Sequence, residues 1–363
     1  MGALADLLRR ALLRQLGILF LEGRIMRAIC LLALPWAACC VAAATGSIAA
    51  CVSDGGANQD VRDASLDDAV DASADTAPAD ASVTDPAADA AKPACDLSKP
   101  FGPPNPVAGP SPTAPDGWPR LSPDELTMVF SCDLGDAGVG KRDLCITRRS
   151  NPNAPFGPAA LIPIVNSVED EVQPMLSPDQ LSLYFVAADP PFTNRLELYV
   201  ATRSNIAADF SPRVALTALN TPANEREPFV SWDGTELFFT SQTAQGVPFD
   251  LYRASRVGSA FANSVPVTEL NTGAEEFSPV LSADGKRIFF ASRRSDGGAQ
   301  GGADIWTATR TSPSTPFGSP TSVTEVNTSA EDVPGWLSSD ACRLYLHSDR
   351  SGSGQIYVAS RSQ

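Results

Sequence analysis

Histidine is all but missing: the 363 residues contain one, His347. No Cys/His metal-ligand spacing occurs, no G-x-S-x-G elbow is present, and no glycine loop stands where it would cradle a phosphate. These absences remove chemistry that rests on several imidazoles, on an elbow serine or on bound nucleotide phosphates. Clustered lysine and arginine are missing too. The formal net charge is −15, which suits a phosphate backbone poorly, so nucleic acid is not an expected partner. Residues 95–363 sustain no helical period, which excludes a helical bundle there. His347 sits in "RLYLHSDR" without a partner pattern and reads as a strand residue.

The charge that is present is uneven. Residues 1–50 carry five Arg against Asp6 and Glu22, residues 52–94 carry ten Asp against Arg62 and Lys92, and the remainder is near −10. From Met26 the chain runs "MRAICLLALPWAACCVAAATGSIAAC", which has the form of a secretory signal. Its end, Ile48-Ala49-Ala50-Cys51, resembles the lipobox of bacterial lipoproteins. That resemblance implies a lipidated Cys51 as the mature N-terminus. A plain membrane anchor is the other reading, because 28–50 is long enough to span a bilayer. Residues 1–50 are assigned to the signal, with Met26 as an alternative start. Residues 51–94 hold the Cys and an Ala/Asp-rich linker with almost no large apolar side chain. Such a segment cannot offset its chain entropy by burial and is expected to be disordered, a tether kept extended by its own charge. Membrane contact is then expected through the lipid alone.

The body of the chain, 95–363, repeats itself. Asp124, Asp179, Asp233, Asp284 and Asp340 stand 55, 54, 51 and 56 residues apart, each in a tight turn. An apolar run follows each turn, as in Leu237-Phe238-Phe239 and Ile288-Phe289-Phe290. A second run then ends on an arginine: Arg149, Arg203, Arg256, Arg310, Arg361. A third begins at Phe156, Phe210, Phe261 or Phe317. β-Branched and aromatic residues between Gly, Pro, Asn and Asp predict strands throughout. Units of about fifty residues with four short strands are the mark of propeller blades, which must stack because one blade cannot bury both faces.

The phrase "F…P…V…N-T…E…P…S-x-D-G…F-F-x-S…D-I-W-x-A-x-R" resembles the WD40-like PD40 repeat, as found in the TolB propeller. The likeness covers about 98–361, and it implies an all-β fold with a single propeller. The Phe phrase recurs at Phe101, again 23 residues before a turn aspartate, Asp124. The chain therefore opens with a lone outer strand and closes without one. Five four-stranded blades, sealed by an N-terminal clasp strand, account for this. The alternative of six blades would need 52–94, whose composition forbids it.

Recurring polar residues invite a functional reading. The turn aspartates suit a hairpin, where the side chain accepts backbone N–H groups. The strand-end arginines read as one repeated contact per blade. Eight residues before each turn Asp lies another acid: Asp116, Glu171, Glu225, Glu276 and Asp332. At the start of the innermost strands these could ring one channel mouth and hold a hard cation such as Ca²⁺ through oxygen. They could equally accept hydrogen bonds within their own blades. No other cofactor is expected.

Beyond Cys51, four cysteines belong to the body: Cys95, Cys132, Cys145 and Cys342. An exported chain with an even number suggests two bridges, in any of three pairings. The propeller arrangement selects Cys132–Cys145 across one hairpin loop and Cys95–Cys342 between the clasp and the first turn of blade five. The expected function is a monomeric lipoprotein of the bacterial envelope, on the outer membrane facing the periplasm or the cell surface. Its propeller would be a non-enzymatic platform for a protein or an envelope polysaccharide. The alternative is an extracellular glycan hydrolase or lyase using channel-mouth carboxylates. Lyases on related propellers use several histidines, which this chain lacks.

Overall fold

Each Ser-x-Asp turn is a small hydrogen-bonded unit, repeated five times in the computed structural model. The structure describes residues 95–109, 117–189, 192–242 and 247–363; the signal, Cys51, the linker and Asp116 lie outside them. In every turn the serine hydroxyl donates to the aspartate at 2.5–2.6 Å (Ser122–Asp124 through Ser338–Asp340). The same Asp Oδ1 accepts the N–H two residues on. The residue after the aspartate is left-handed in all five turns: Glu125, Gln180, Gly234, Gly285 and Ala341, with φ between 56° and 70°. Only two of the five are glycine, so the side-chain bonds hold a conformation that L residues otherwise avoid.

These turns join the first and second strands of five antiparallel blades. Blade one is β2 (Arg120–Leu121), β3 (Thr127–Cys132), β4 (Asp143–Arg148) and β5 (Ala160–Leu161). Blade two is β6 (Glu171–Leu176), β7 (Ser182–Asp189), β8 (Phe192–Thr202) and β9 (Val214–Ala215). Blade three is β10 (Glu225–Val230), β11 (Glu236–Ser241), β12 (Asp250–Val257) and β13 (Ala260–Pro266). Blade four is β14 (Glu276–Leu281), β15 (Arg287–Ser292), β16 (Asp304–Thr309) and β17 (Thr321–Ser322). Blade five is β18 (Asp332–Leu337), β19 (Arg343–Ser348), β20 (Gln355–Ser360) and, from the other end of the chain, β1 (Asn105–Pro106). The clasp is therefore real: Asn105 pairs with Val358, Pro106 with Tyr357, and Phe101 bridges Arg361. The innermost strands touch in a closed circuit, β2 to β6 to β10 to β14 to β18 and back to β2.

The second strands lie between neighbouring blades and are covered on both faces, which is why they read as unbroken apolar runs rather than alternating ones. Phe185, Phe238, Phe289 and Leu344 are wholly or almost wholly buried. The five strand-end arginines are structural. Each guanidinium lies 3.9–4.6 Å from the ring of its blade's outer Phe: Arg361 on Phe101, Arg149 on Phe156, Arg203 on Phe210, Arg256 on Phe261 and Arg310 on Phe317. In four blades its Nε also donates to the carbonyl of the left-handed turn residue. One expectation needs correction. The regular outer strand takes in the Phe only in blade three; in the others it begins four residues later, although the residue after the Phe already donates its N–H to the end of the third strand. The ring is occupied in the stack beneath the arginine, and the regular ladder resumes once the backbone has passed it.

The structure joins Cys132 to Cys145 and Cys95 to Cys342, with Cα separations of 5.9 Å and 5.7 Å. The second bridge ties the clasp to the first turn of the blade it completes.

Candidate functional site

The ring carboxylates stand at the start of the innermost strands, as their spacing predicts, but they turn away from the axis. Glu171, Glu225, Glu276 and Asp332 are completely buried. Each is held by the residue four places earlier, which gives both its backbone N–H and its hydroxyl: Ser167, Thr221, Thr272 and Thr328. Further donors complete the set: Arg213 for Glu171, Ser241 for Glu225, Ser292 and Arg294 for Glu276, and Arg350 for Asp332. The preceding asparagine pins the same loop to the neighbouring third strand. Asn166, Asn220, Asn271 and Asn327 each accept from and donate to one backbone unit, at Leu144, Leu198, Leu251 and Ile305. Burial pushes the carboxyls of Glu171 and Glu225 above their usual range, against the pull of these donors. The four are not brought together; a cation would have to displace protein donors already in place. Among the described residues no three His, Cys, Asp or Glu are grouped so as to hold a metal ion. Asp116 lies outside the described residues.

What does face the axis is the residue two places further on. A β-bulge interrupts each of the innermost strands β6, β10 and β14, and Gln173, Glu227 and Ser278 there take left-handed φ values of 56°, 55° and 51°. Bulges re-aim side chains, and these three interlock. Glu227 Oε2 accepts from Thr240 Oγ1 at 2.7 Å and from the Ser278 N–H at 2.8 Å. Gln173 Oε1 accepts the Glu227 N–H at 3.2 Å, while its Nε2 lies 3.4 Å from Glu227 Oε1. Burial raises the Glu227 carboxyl above its ordinary pKa; the hydrogen bonds from Thr240 and Ser278, and after them the charges of Arg226 and Arg120, oppose this more weakly.

Below this layer the axis is plugged. Arg120 is 2 % exposed, donates to the Gly335 carbonyl at 2.5 Å and lies 5.1 Å from the centroid of Phe229. Phe229 and Trp336 approach to 6.0 Å, and Trp232 and Trp336 to 5.1 Å. These residues come from blades one, three and five, and blade three neighbours neither of the others, so these contacts can only cross the axis. Burial holds the Arg120 guanidinium down to about 10, and the Glu227 charge partly offsets that. A Cβ at position 335 would come within 2.7 Å of Pro119, so this plug requires glycine there.

The mouth is thus a cup of ≈ 310 Å³. Trp118, Phe249 and Phe277 give it aromatic walls, Arg142, Arg226 and Arg293 line it, and Gln173 and Glu227 belong to its lining with Glu275. Arg226 lies 4.7 Å over Phe249. Arg293 lies 5.6 Å over Phe277 and binds Glu275 at 3.0 Å and Glu331 at 2.5 Å. Arg142 binds Asp170 at 2.9 Å. His347 is buried and stacks on Trp118, 6.0 Å away and nearly parallel.

None of the cup's charged residues was singled out from the sequence. The available signal was irregularity. The position of Glu227 is Trp118, Gln173, Ser278 and Pro334 in the other units, and the position of Phe249 is Arg142, Leu196, Ala303 and Gly354. Where the repeat is constant its residues build blades; where it varies they line the cup.

No protein-family model and no curated protein matches the chain. Among solved structures it is similar to TolB from Acinetobacter baumannii, at 17 % identity and a TM-score of 0.41, over 67 % of this chain and 54 % of that one. The chain thus spans about half the length of that TolB. A thermostable family-43 glycoside hydrolase matches at 12 % identity and a TM-score of 0.47, over 71 % of this chain and 91 % of that one. The periplasmic gluconolactonase PpgL of Pseudomonas aeruginosa matches at 13 % identity and a TM-score of 0.35, over 68 % and 72 %. Likenesses of this degree carry nothing about function. The fold rests on sheet order, clasp and closed inner circuit: the chain is a five-bladed β-propeller.

Proposed function

We propose that the chain is a bacterial envelope lipoprotein whose propeller is a non-enzymatic binding platform, and that the axial cup is its binding face. The partner class is a protein or an envelope polymer. The observation that carries this reading is the division of labour among polar residues. Turn aspartates, strand-end arginines, asparagines and ring carboxylates are occupied within or between blades, whereas the variable positions converge on one mouth. Two disulfides suit an oxidising compartment, which supports export through the signal ending at Cys51.

The hydrolase alternative would need two carboxylates with open oxygens facing one substrate. The ring carboxylates spend theirs inside the blades, and Glu227 Oε2 already takes two donors. This favours the platform.

Two results are expected. With the lipidated chain immobilised in detergent and exposed to envelope extract, the double variant Arg226→Ala/Phe249→Ala should lose bound partner about tenfold or more, as removal of central contacts does. Lys286→Ala, on the opposite face among the turns, should capture as the wild type does. Equal capture by all three would rule out the cup. Separately, Cys51→Ala should abolish incorporation of labelled fatty acid and leave an uncleaved precursor; unchanged labelling would remove lipidation at Cys51.

A further inference from the structure

We infer that the cup is a sugar site, taking one or two rings of a neutral glycan against its aromatic walls. This rests on the platform reading and narrows its partner to a class of ligand.

Size comes first. A cup of ≈ 310 Å³ lies at the small end of ligand sites, which run from about 300 to 1,000 Å³. It suits a compact ring better than a folded protein surface.

Charge comes second. Arg142, Arg226 and Arg293 line the cup, but carboxylates answer them: Asp170 on Arg142, Glu275 and Glu331 on Arg293, and Glu227 in the lining. An anionic ligand would meet those carboxylates, and a cationic one would meet the guanidiniums. Either would be repelled by the lining charges of its own sign. A wholly apolar ligand would strip water from all of them without replacing its hydrogen bonds. A hydroxyl both donates and accepts. A guanidinium has five N–H donors and a carboxylate about four lone-pair sites, so a hydroxyl can sit beside such a pair and bond to both members without separating them. Because each pair holds its members in place beforehand, little side-chain freedom is lost on binding.

Shape comes third. A sugar ring has an apolar C–H face bordered by hydroxyls, and the cup offers the complement. Trp118, Phe249 and Phe277 supply flat apolar surfaces, and Arg226 is already stacked on Phe249 at 4.7 Å. Two other cavities among the described residues lack this combination. The groove between the clasp and blade one has no charged residue, with Pro106, Val107, Met128 and Phe156 in its lining. The pocket among the turns of blades four and five has no aromatic residue. Binding needs no catalytic group, so hydrolysis does not follow from it.

The test uses the full chain in detergent on an array of neutral, uronate-containing and amino-sugar oligosaccharides. Retention of neutral glycans is expected. Affinity should fall about tenfold or more in Phe249→Ala and in Arg226→Ala, with Lys286→Ala unchanged. Melting curves check folding, and Phe277→Ala replaces Phe249→Ala if that variant unfolds. Retention of uronate or amino-sugar glycans alone would overturn the charge argument. Neutral retention indifferent to the cup variants would overturn the location. A blank array rejects the sugar; if envelope capture still depends on Arg226 and Phe249, the platform reading survives it. If that dependence is lost as well, both readings fail together.

Discussion

Replacing Cys95 and Cys342 by alanine is expected to lower the unfolding free energy by about 5 kcal/mol, the larger of the two disulfide effects. The bridge joins residues 247 apart, so it closes nearly the whole domain into one loop. In the chain-entropy account a loop of that size is worth about 5 kcal/mol, against about 3 kcal/mol for a loop near fifteen residues. Cys132–Cys145, with a separation of 13, is of the second kind. The Cys95/Cys342 loss should appear as a fall in Tm of about 10–20 °C. Its position adds to the effect. Without it the clasp is left with the pairing of Asn105 and Pro106, the Phe101–Arg361 bridge and the backbone bonds of Asp96, Gly102 and Val107, and its release exposes the edge of β20. Guanidinium denaturation of both double variants decides the matter. A loss no larger than that of the Cys132/Cys145 variant would remove ring closure as the bridge's main contribution.

Substitution of Glu125 by glutamine should be nearly as damaging, at about 3–5 kcal/mol, because it leaves partly buried guanidiniums without their counter-charge. Glu125 is 4 % exposed at the seam between blades one and five. Arg343 grips it with Nε at 2.9 Å and a second nitrogen at 2.5 Å, Tyr345 donates to it at 2.7 Å, and Arg149 stands 3.6 Å away. By contrast, Arg293 and Glu275 are about 40 % exposed. Breaking that bridge should cost no more than about 1 kcal/mol. The same seam gives an alkaline signature. Burial first, and then Glu125, push the Tyr345 phenol from 10.0 up to about 12. A raised pKa means that the folded state keeps a proton which the unfolded chain releases. The contribution is therefore whole below pH 10 and is lost as pH rises towards 12. Urea melts of Glu125→Gln and of Glu275→Gln at neutral pH, with a wild-type series at alkaline pH, measure all three effects. A Glu125→Gln loss below about 1 kcal/mol would place that cluster with the surface pairs.

The blades, their number and the clasp were legible in the chain because each feature is written five times. One turn aspartate could be chance; five at nearly constant spacing, each followed by an apolar run, define a register. The cysteine pairing followed from the same register. The ring carboxylates show where that reading stops. Spacing located them at the start of the inner strands but said nothing of their direction. The clue was the Ser or Thr four residues earlier, which ties each one down. The cup lay further out of reach. Glu227 reaches the axis only because a bulge gives it a φ of 55°, and a strand counted as regular would not place it there. Glu125 was hidden by its position, since it occupies the place where the turn most often carries glycine. Both residues break the repeat, and searching the repeat for what recurs passes over them.

Site-specific photo-cross-linking in cells tests the central claim most directly. A benzoylphenylalanine is placed at position 249 in the cup, or at position 286 among the turns of the opposite face, and the full chain is irradiated in its own envelope. The cup position should yield a discrete adduct that disappears when Arg226→Ala is added, and position 286 should yield none. An adduct at 286 with none at 249 would put the binding face on the wrong side of the ring.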